Sequence, residues 1–462
     1  MTIFKTCDIR GVYGSELDKE TAHRLGRAVG ARMQSREVVV GGDLRISTPA
    51  LKEALILGLL RGGAHVVDVG TVPTPAFYYA MRALGISAGV MVTASHNPAR
   101  YNGFKLMLGA LPIEPEELQE LAREMQRDDL AEGQGNRRTA DILPAYEVLL
   151  CDAFSGQHPR HVVVDAGNGA MWQTAPNVLR RLGHHVDEIH CVPDGTFPGR
   201  DPNPAVPAHL EDLRRRVRES GAELGIAFDG DGDRVIFVDE GGRVQPADRL
   251  LVLMIRHLLR QFPGAAVVYD LKSSSVVPEA IRTAGGRALI ERSGHAFIKR
   301  RLLTEDAVLG GEVSGHYFFR ETGGDDALYA ILLMLRILDE AGATLGAAMD
   351  TVPEYPGTPD LRIPCPLDAA RRILDELRQG LARFPIDTLD GVRVRFDEGW
   401  ALARVSVTEP LITLRFEAHT GEALRAIIAR VRGASASLDD LMRSAGPALD
   451  QVLSDETDAD LF

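Results

Sequence analysis

Lysine is scarce in this chain. Lys5, Lys19, Lys52, Lys105, Lys272 and Lys299 are the only ones among 52 basic residues, so nearly all cationic charge is guanidinium. A lysine inside a motif is therefore unlikely to be background. Cysteine is scarce too: Cys7, Cys151, Cys191 and Cys365 are far apart and form no Cys-x-x-Cys. Neither a zinc site nor a disulfide framework is suggested, and a reducing, cytoplasmic location is expected. Long hydrophobic runs are missing. The most apolar stretches, Leu250–Leu259 and Tyr329–Leu338, are short and carry Arg256 and Arg336, which rules out a bilayer span. The opening residues lack the apolar core and cleavage site of a signal peptide. Net positive charge is absent: 52 Lys+Arg against 65 Asp+Glu leave −13, which argues against a nucleic-acid partner. An anionic small substrate stays open, because a local cationic pocket can sit in an acidic protein.

What is present is an ordinary globular balance, 45% apolar and 25% charged, over 462 residues. At roughly 150 residues per domain this predicts about three domains, with a small fourth possible. Three stretches repeat one plan. Val38–Asp43, a helical run over Pro49–Leu60 and then Gly62–Asp68 form the first. The second is Val162–Asp165, a helix near Ala175–Leu182 and Gly183–Asp187. The third is Val267–Asp270, a helix near Val277–Ala284 and Gly285–Ile290. Apolar β-branched runs alternating with helices are the signature of βαβ units. An aspartate closes each first strand and a glycine follows each helix, which points to related domains in tandem.

The last hundred residues differ. Gly391–Phe396 alternates, Ala401–Phe416 holds two strand-like runs, and helices follow over Gly421–Val431 and near Leu438–Leu453. Strands followed by helices read as a small α+β domain. Linkers are expected at Glu132–Asp141 and Pro353–Pro366. The expected fold is thus α/β, with three tandem α/β domains on mainly parallel mixed sheets and a smaller C-terminal α+β domain. The expected bounds are 1–142, 143–244, 245–355 and 356–462.

Four loops carry chemistry. Thr93-Ala-Ser-His-Asn-Pro98 precedes Tyr101-Asn-Gly-Phe-Lys105; by composition it is a turn, and Ser95 is either a cap or a nucleophile or phosphate carrier. Adjacent Ser95 and His96 do not make a Ser-His-Asp triad by themselves. In Asp229-Gly-Asp-Gly-Asp-Arg234 three carboxylates alternate. On one face of an extended segment they repel unless a cation sits among them, and oxygen ligands suit Mg²⁺. An EF-hand is rejected, because Arg234 stands where that loop needs glycine and Val235–Val238 reads as a strand. Gly310-Gly-Glu-Val-Ser-Gly-His316 spaces Glu312, Ser314 and His316 by two, a set suited to hydrogen-bonding vicinal sugar hydroxyls or simply a Gly-rich turn. Arg404-Val-Ser-Val-Thr-Glu-Pro410 repeats that spacing with Arg404, Ser406 and Thr408, a phosphate cradle or the polar face of a hairpin.

Together and in this order the four loops resemble the α-D-phosphohexomutase superfamily, from Asp8-Ile-Arg-Gly11 to the helix after Phe416. The opening motif, Glu312–His316 and Gly399–Arg404 are most similar to its bacterial phosphomannomutase/phosphoglucomutase branch. The resemblance implies four domains around a central cleft and interconversion of hexose 1- and 6-phosphates through a phosphoserine and a 1,6-bisphosphosugar. It makes Ser95 the phosphoryl carrier and a metal ligand, with Asp229, Asp231 and Asp233 as the other Mg²⁺ ligands. It places Glu312 and Ser314 on the sugar, and Arg404, Ser406, Val407 and Thr408 on the distal phosphate. Arg10, Lys105, Arg234, Lys272, Ser293, Gly294, His295 and His316 align with further active-site positions, Lys105 and His316 being candidates for general base and acid.

Implied cofactors are Mg²⁺ and glucose 1,6-bisphosphate as activator. Implied partners are hexose phosphates only, with a monomer or weak dimer. Val407 departs from the glycine or asparagine usual there, and a β-branched residue is strained at positive φ. Glucosamine-phosphate specificity, a catalytically weak sugar-phosphate-binding paralogue and a metal-dependent phosphatase are the alternatives.

Overall fold

The computed structural model describes residues 3–127, 129–405 and 410–444. Among these, the strands form four sheets. The Val-rich segments become central strands because they are buried on both faces, where β-branched side chains fit.

The first three sheets share one plan. Glu37–Gly42, helix Thr48–Arg61 and His65–Thr71 make a parallel βαβ unit in the first. His161–Asp165, Thr174–Arg181 and His185–Ile189 do so in the second. Ala266–Asp270, Val276–Thr283 and Arg287–Glu291 complete the set. On the other side of each first strand lies a further parallel strand: Ala88–Val92, Leu224–Phe228 or Leu309–Gly311. Each of these turns back as an antiparallel hairpin, into Tyr101–Leu108, Val235–Asp239 or Tyr317–Phe319. The sheets are therefore mixed, and the tandem repetition extends to strand order.

The fourth sheet is wholly antiparallel, in the order Leu361–Pro364, Leu411–Ala418, Gly399–Val405, Val392–Phe396 and Ile386–Asp387. Helices Leu367–Gly380, Gly421–Ala434 and Ala436–Ser444 share an apolar cluster with its strands.

Both polar segments expected as linkers also supply strands. Arg137–Thr139 adds a parallel edge to the first sheet, and Leu361–Pro364 edges the fourth. An edge strand needs only backbone pairing on one side, so Arg137–Thr139 carries no apolar run and is exposed throughout.

One apolar core runs through the first three units, from Val39 and Phe77 through Phe228 and Phe237 to Leu309 and Leu332. The fourth unit has its own core. A small cluster of Leu271, Trp400 and Leu402, with Ile290 packed against it, joins it to the third. No helix among the described residues is long and apolar enough to cross a membrane.

Candidate active site

Three of the four motifs occupy one structural position. They are the hairpin connections of the first three sheets, between Val92 and Tyr101, Phe228 and Val235, and Gly311 and Tyr317. The repeated topology thus delivers a serine, a triplet of aspartates and a Glu-Ser-His set at equivalent loop sites.

Ser95 is fully buried, and its φ of +49° is in the left-handed region, which costs an L-residue roughly 1–2 kcal/mol. The surrounding contacts impose that conformation. Its N–H donates to Thr93 Oγ1 at 2.9 Å, and Thr93 Oγ1 donates to Asp43 Oδ2 at 2.7 Å. Arg45, fully buried, donates to the carbonyls of Ser95 (2.7 Å), Asn97 (2.6 Å), Pro98 (2.8 Å) and Tyr101 (3.0 Å), and pairs with Asp43 at 3.1 Å. One guanidinium therefore fastens the whole loop. Ser95 Oγ donates to Asp229 Oδ2 at 2.6 Å and lies 3.3 Å from His96 Nδ1. Arg10 reaches the same loop, donating to the Ala94 carbonyl at 3.2 Å and Asn97 Oδ1 at 2.5 Å while pairing with Asp8 at 2.7 Å.

The aspartate loop presses against this serine. A Cβ on Gly230 would lie 2.6 Å from the Ser95 carbonyl oxygen, so only glycine allows the approach. Asp229 Oδ1 accepts the N–H groups of Gly232 (3.0 Å), Asp233 (3.2 Å) and Arg234 (3.2 Å), which wraps the loop round its own carboxylate. Asp231 Oδ2 accepts from Thr74 Oγ1 at 2.7 Å and from Lys105 Nζ at 2.8 Å; Lys105 also donates to Asp233 Oδ2.

Ligand oxygens of the three aspartates lie within 4.8 Å of one another, all on buried residues. Asp231 Oδ1 and Asp233 Oδ1 are buried with no hydrogen-bond partner. Crowded hard oxygens with orphaned lone pairs fit a divalent cation such as Mg²⁺. Burial, together with Asp233 and Asp231, pushes the Asp229 carboxyl up to about 8. Burial works against the Lys105 ammonium, but Asp231 and Asp233 outweigh it and hold its pKa well above the usual range.

The third sheet closes over the same centre. Val235 N–H donates to the Gly315 carbonyl at 3.0 Å, and Arg234 Nε donates to His316 Nε2 at 2.9 Å. A guanidinium can only donate, so Nε2 is the acceptor and the imidazole proton sits on Nδ1. That atom faces Asp325 Oδ2 at 3.3 Å and Asp233 Oδ1 at 3.6 Å. Glu312 Oε1 accepts the Gly294 N–H and Oε2 the Ser314 hydroxyl, both at 2.9 Å. His295 Nε2 lies 3.8 Å from Asp8 Oδ2, with its ring stacked on His316 at 6.1 Å. Ser293 Oγ is buried without a partner.

Ser95, Arg10, Lys105, the three aspartates, Arg234, His316 and His295 are thus one chain of contacts, and Glu312 and Ser314 join it through Gly294. Lys272 and Arg404 pair elsewhere. Lys272 Nζ holds Asp360, and Arg404 lies 3.3 Å from Asp390, both half-buried acids of the fourth unit. Ser406, Val407 and Thr408 lie outside the described residues.

Arg45, Thr74 and Asp325 belong to no motif in the sequence. A signal for Arg45 was present, because Asp43 is one of the three aspartates that close a first strand. Asp165 likewise meets a buried arginine, Arg200, at 2.7 Å.

Residues 1–132, 146–242 and 246–355 match the alpha/beta/alpha domains I, II and III of phosphoglucomutase/phosphomannomutase, and 361–434 match its C-terminal domain. The chain is 40% identical over 433 residues to a phosphomannomutase/phosphoglucomutase of Pseudomonas aeruginosa, covering 92% of this chain and 94% of the relative. It is 38% identical to a phosphoglucomutase of Neisseria gonorrhoeae over 437 residues, 92% and 95% of the two chains. A crystal structure of a phosphoglucomutase/phosphomannomutase family protein from Burkholderia thailandensis superposes with a TM-score of 0.88 at 36% identity, over 94% of this chain and 97% of that one.

Proposed function

The chain belongs to the phosphoglucomutase/phosphomannomutase family and is a phosphohexomutase acting on hexose phosphates; from that premise we propose how its own residues carry the transfer. Ser95 is the phosphoryl carrier. The observation that supports this most is the buried Ser95 Oγ, 2.6 Å from an aspartate of the metal loop and fixed by Arg45 in a conformation serine does not choose unaided.

O1 and O6 lie at opposite ends of a hexose, so one bound sugar cannot pass its phosphate directly between them. In the proposed cycle a free sugar hydroxyl attacks the phosphorus on Ser95. The new O–P bond forms as the P–Oγ bond breaks, and the proton lost by the hydroxyl is matched by one taken up at Oγ. The resulting 1,6-bisphosphosugar turns over and returns its other phosphoryl group to Ser95. Glucose 1,6-bisphosphate would charge an unphosphorylated enzyme by the same reaction, as an activator.

Ser95, Asp229, Asp231 and Asp233 would hold Mg²⁺, which when bound neutralises charge on the transferring phosphoryl group. Lys105, expected from the sequence as a candidate base, is kept protonated by Asp231 and Asp233 and so serves here as a buried positive charge and proton donor, leaving the base to His316. Arg234 and Arg10 supply guanidinium charge where phosphate charge develops. His316 is the candidate base: Asp325 stands 3.3 Å from its Nδ1, and its Nε2 lone pair, held by Arg234 in this structure, is free once Arg234 turns to a phosphate. Glu312 and Ser314 grip sugar hydroxyls, with the Ser293-Gly294-His295 turn beside them. Lys272 and the Arg404–Thr408 loop, including Val407, take the distal phosphate.

Phosphorus-31 NMR tests this with glucose 1-phosphate or mannose 1-phosphate, Mg²⁺ and a trace of glucose 1,6-bisphosphate. A growing 6-phosphate resonance, lost in Ser95→Ala, is the expected result. Release of inorganic phosphate alone would make the protein a phosphatase, and full activity in Ser95→Ala would remove Ser95 from the mechanism.

A further inference from the structure

Between the third and fourth units lies a cavity of about 530 Å³ that shares no lining residue with the catalytic loops. Arg282 comes to it from the helix Val276–Thr283, and Tyr269 from the central strand of the third sheet. Arg393 and Arg395 come from one strand of the fourth sheet, two residues apart and hence on one face. Asp387 is the only acid in the lining. Its Oδ1 is engaged by the Leu389 N–H at 2.8 Å, and it makes no ion pair with any of the three arginines among the described residues.

Three cations against one anion leave this pocket with a positive surplus, in a protein whose net charge is −13. The surplus reaches below the surface. Arg393 is 5% exposed, and its Nε is buried with no hydrogen-bond partner. Its guanidinium lies over the Trp400 ring at 4.5 Å, and Trp400 is itself fixed by Glu417 at 2.9 Å. A buried guanidinium nitrogen without a partner is costly, and stacking on an aromatic face and the attraction of Glu417 and Asp387 only partly offset the loss of water. Arg393, Arg282 and Arg395 all act on the buried Tyr269 phenol, with Asp387 opposing them.

We propose that this cavity is a second anion site, separate from the catalytic cleft, which binds a phosphate group through Arg282, Arg393 and Arg395. Guanidinium donors match phosphate oxygens, and the volume exceeds that of a lone phosphate, leaving space for the rest of a phosphorylated small molecule. The lining comes from both units, so an occupant ties the fourth to the third at a junction that also holds the small Leu271–Trp400–Leu402 cluster.

The test uses Trp400, one of two tryptophans in the chain. In full-length Trp172→Phe protein, Trp400 fluorescence is followed during titration with inorganic phosphate or with ADP. A saturable change is expected, at least tenfold weaker when Arg282→Gln and Arg395→Gln are added. These exposed substitutions leave kcat/KM for glucose 1-phosphate within about twofold. Tighter binding of ADP identifies a phosphorylated metabolite as the ligand, and equal or tighter binding of phosphate identifies the free anion; both support the site. No change with either probe, or an equal response in the double variant, would overturn the proposal.

Discussion

The loops of the first three sheets close on one another, whereas Lys272 of the third unit and Arg404 of the fourth rest on partners that can exchange. Around Ser95 most polar groups find a buried partner from another segment: Lys105 from the first unit holds Asp231 and Asp233 of the second, and Arg45 fills its donors with four loop carbonyls and Asp43. In the third and fourth units, Lys272 and Arg404 rest on half-buried acids, Asp360 and Asp390, which a phosphate dianion could replace. The cores set the fourth unit apart as well, one continuous through three units and one separate. A group that transfers phosphate needs fixed neighbours, whereas a group that must accept either end of a hexose phosphate is better left with exchangeable partners.

Breaking the closed side should have the largest effects. Lys105→Met leaves two buried carboxylates without their cation. We expect kcat to fall by about 10²–10³ and the chelated protein to lose roughly 3–5 kcal/mol in urea titrations. Wild-type stability without turnover would show that Lys105 does not neutralise the metal-free centre.

Arg45→Met should cost about 3–5 kcal/mol and slow turnover by freeing the Ser95 loop. Arg45→Lys keeps the charge but cannot span four carbonyls, so partial recovery of stability with little recovery of kcat is expected. Equal recovery of both would mean that the charge alone matters.

The open side should respond differently. Arg404→Gln and Lys272→Met remove surface-type pairs worth about 0–1 kcal/mol, so melting should barely move, while KM for glucose 1-phosphate rises roughly 10–100-fold with kcat nearly constant. A collapse of kcat with unchanged KM would place these residues on the closed side. The smallest effect is expected from Val407→Asn, a few-fold lower KM if the loop needs positive φ there; an unchanged KM would rule that out.

Much of this division was legible in the sequence. The Val-rich runs, the repeated aspartates and the four loops are local patterns, and local patterns specify strands and turns. The Asp229, Asp231 and Asp233 triplet announced its own cation because like charges at that spacing need one. Arg45, Thr74 and Asp325 were not legible, because each acts on a loop far away in sequence and none sits in a motif of its own. The same holds for Asp360 and Asp390, whose pairing with Lys272 and Arg404 depends on how the fourth unit docks. Arg137–Thr139 was hidden because an exposed edge strand leaves no apolar trace.

The central claim, that the fixed side of the cleft carries the phosphoryl group on Ser95, is tested most directly by intact-mass and peptide mass spectrometry. Protein exposed to glucose 1,6-bisphosphate and Mg²⁺ should gain one phosphoryl group, located on the peptide containing Ser95. It should lose that group when glucose 1-phosphate is added, and Ser95→Ala should gain none. Phosphorylation at another residue, or active protein that never carries phosphate, would contradict the account.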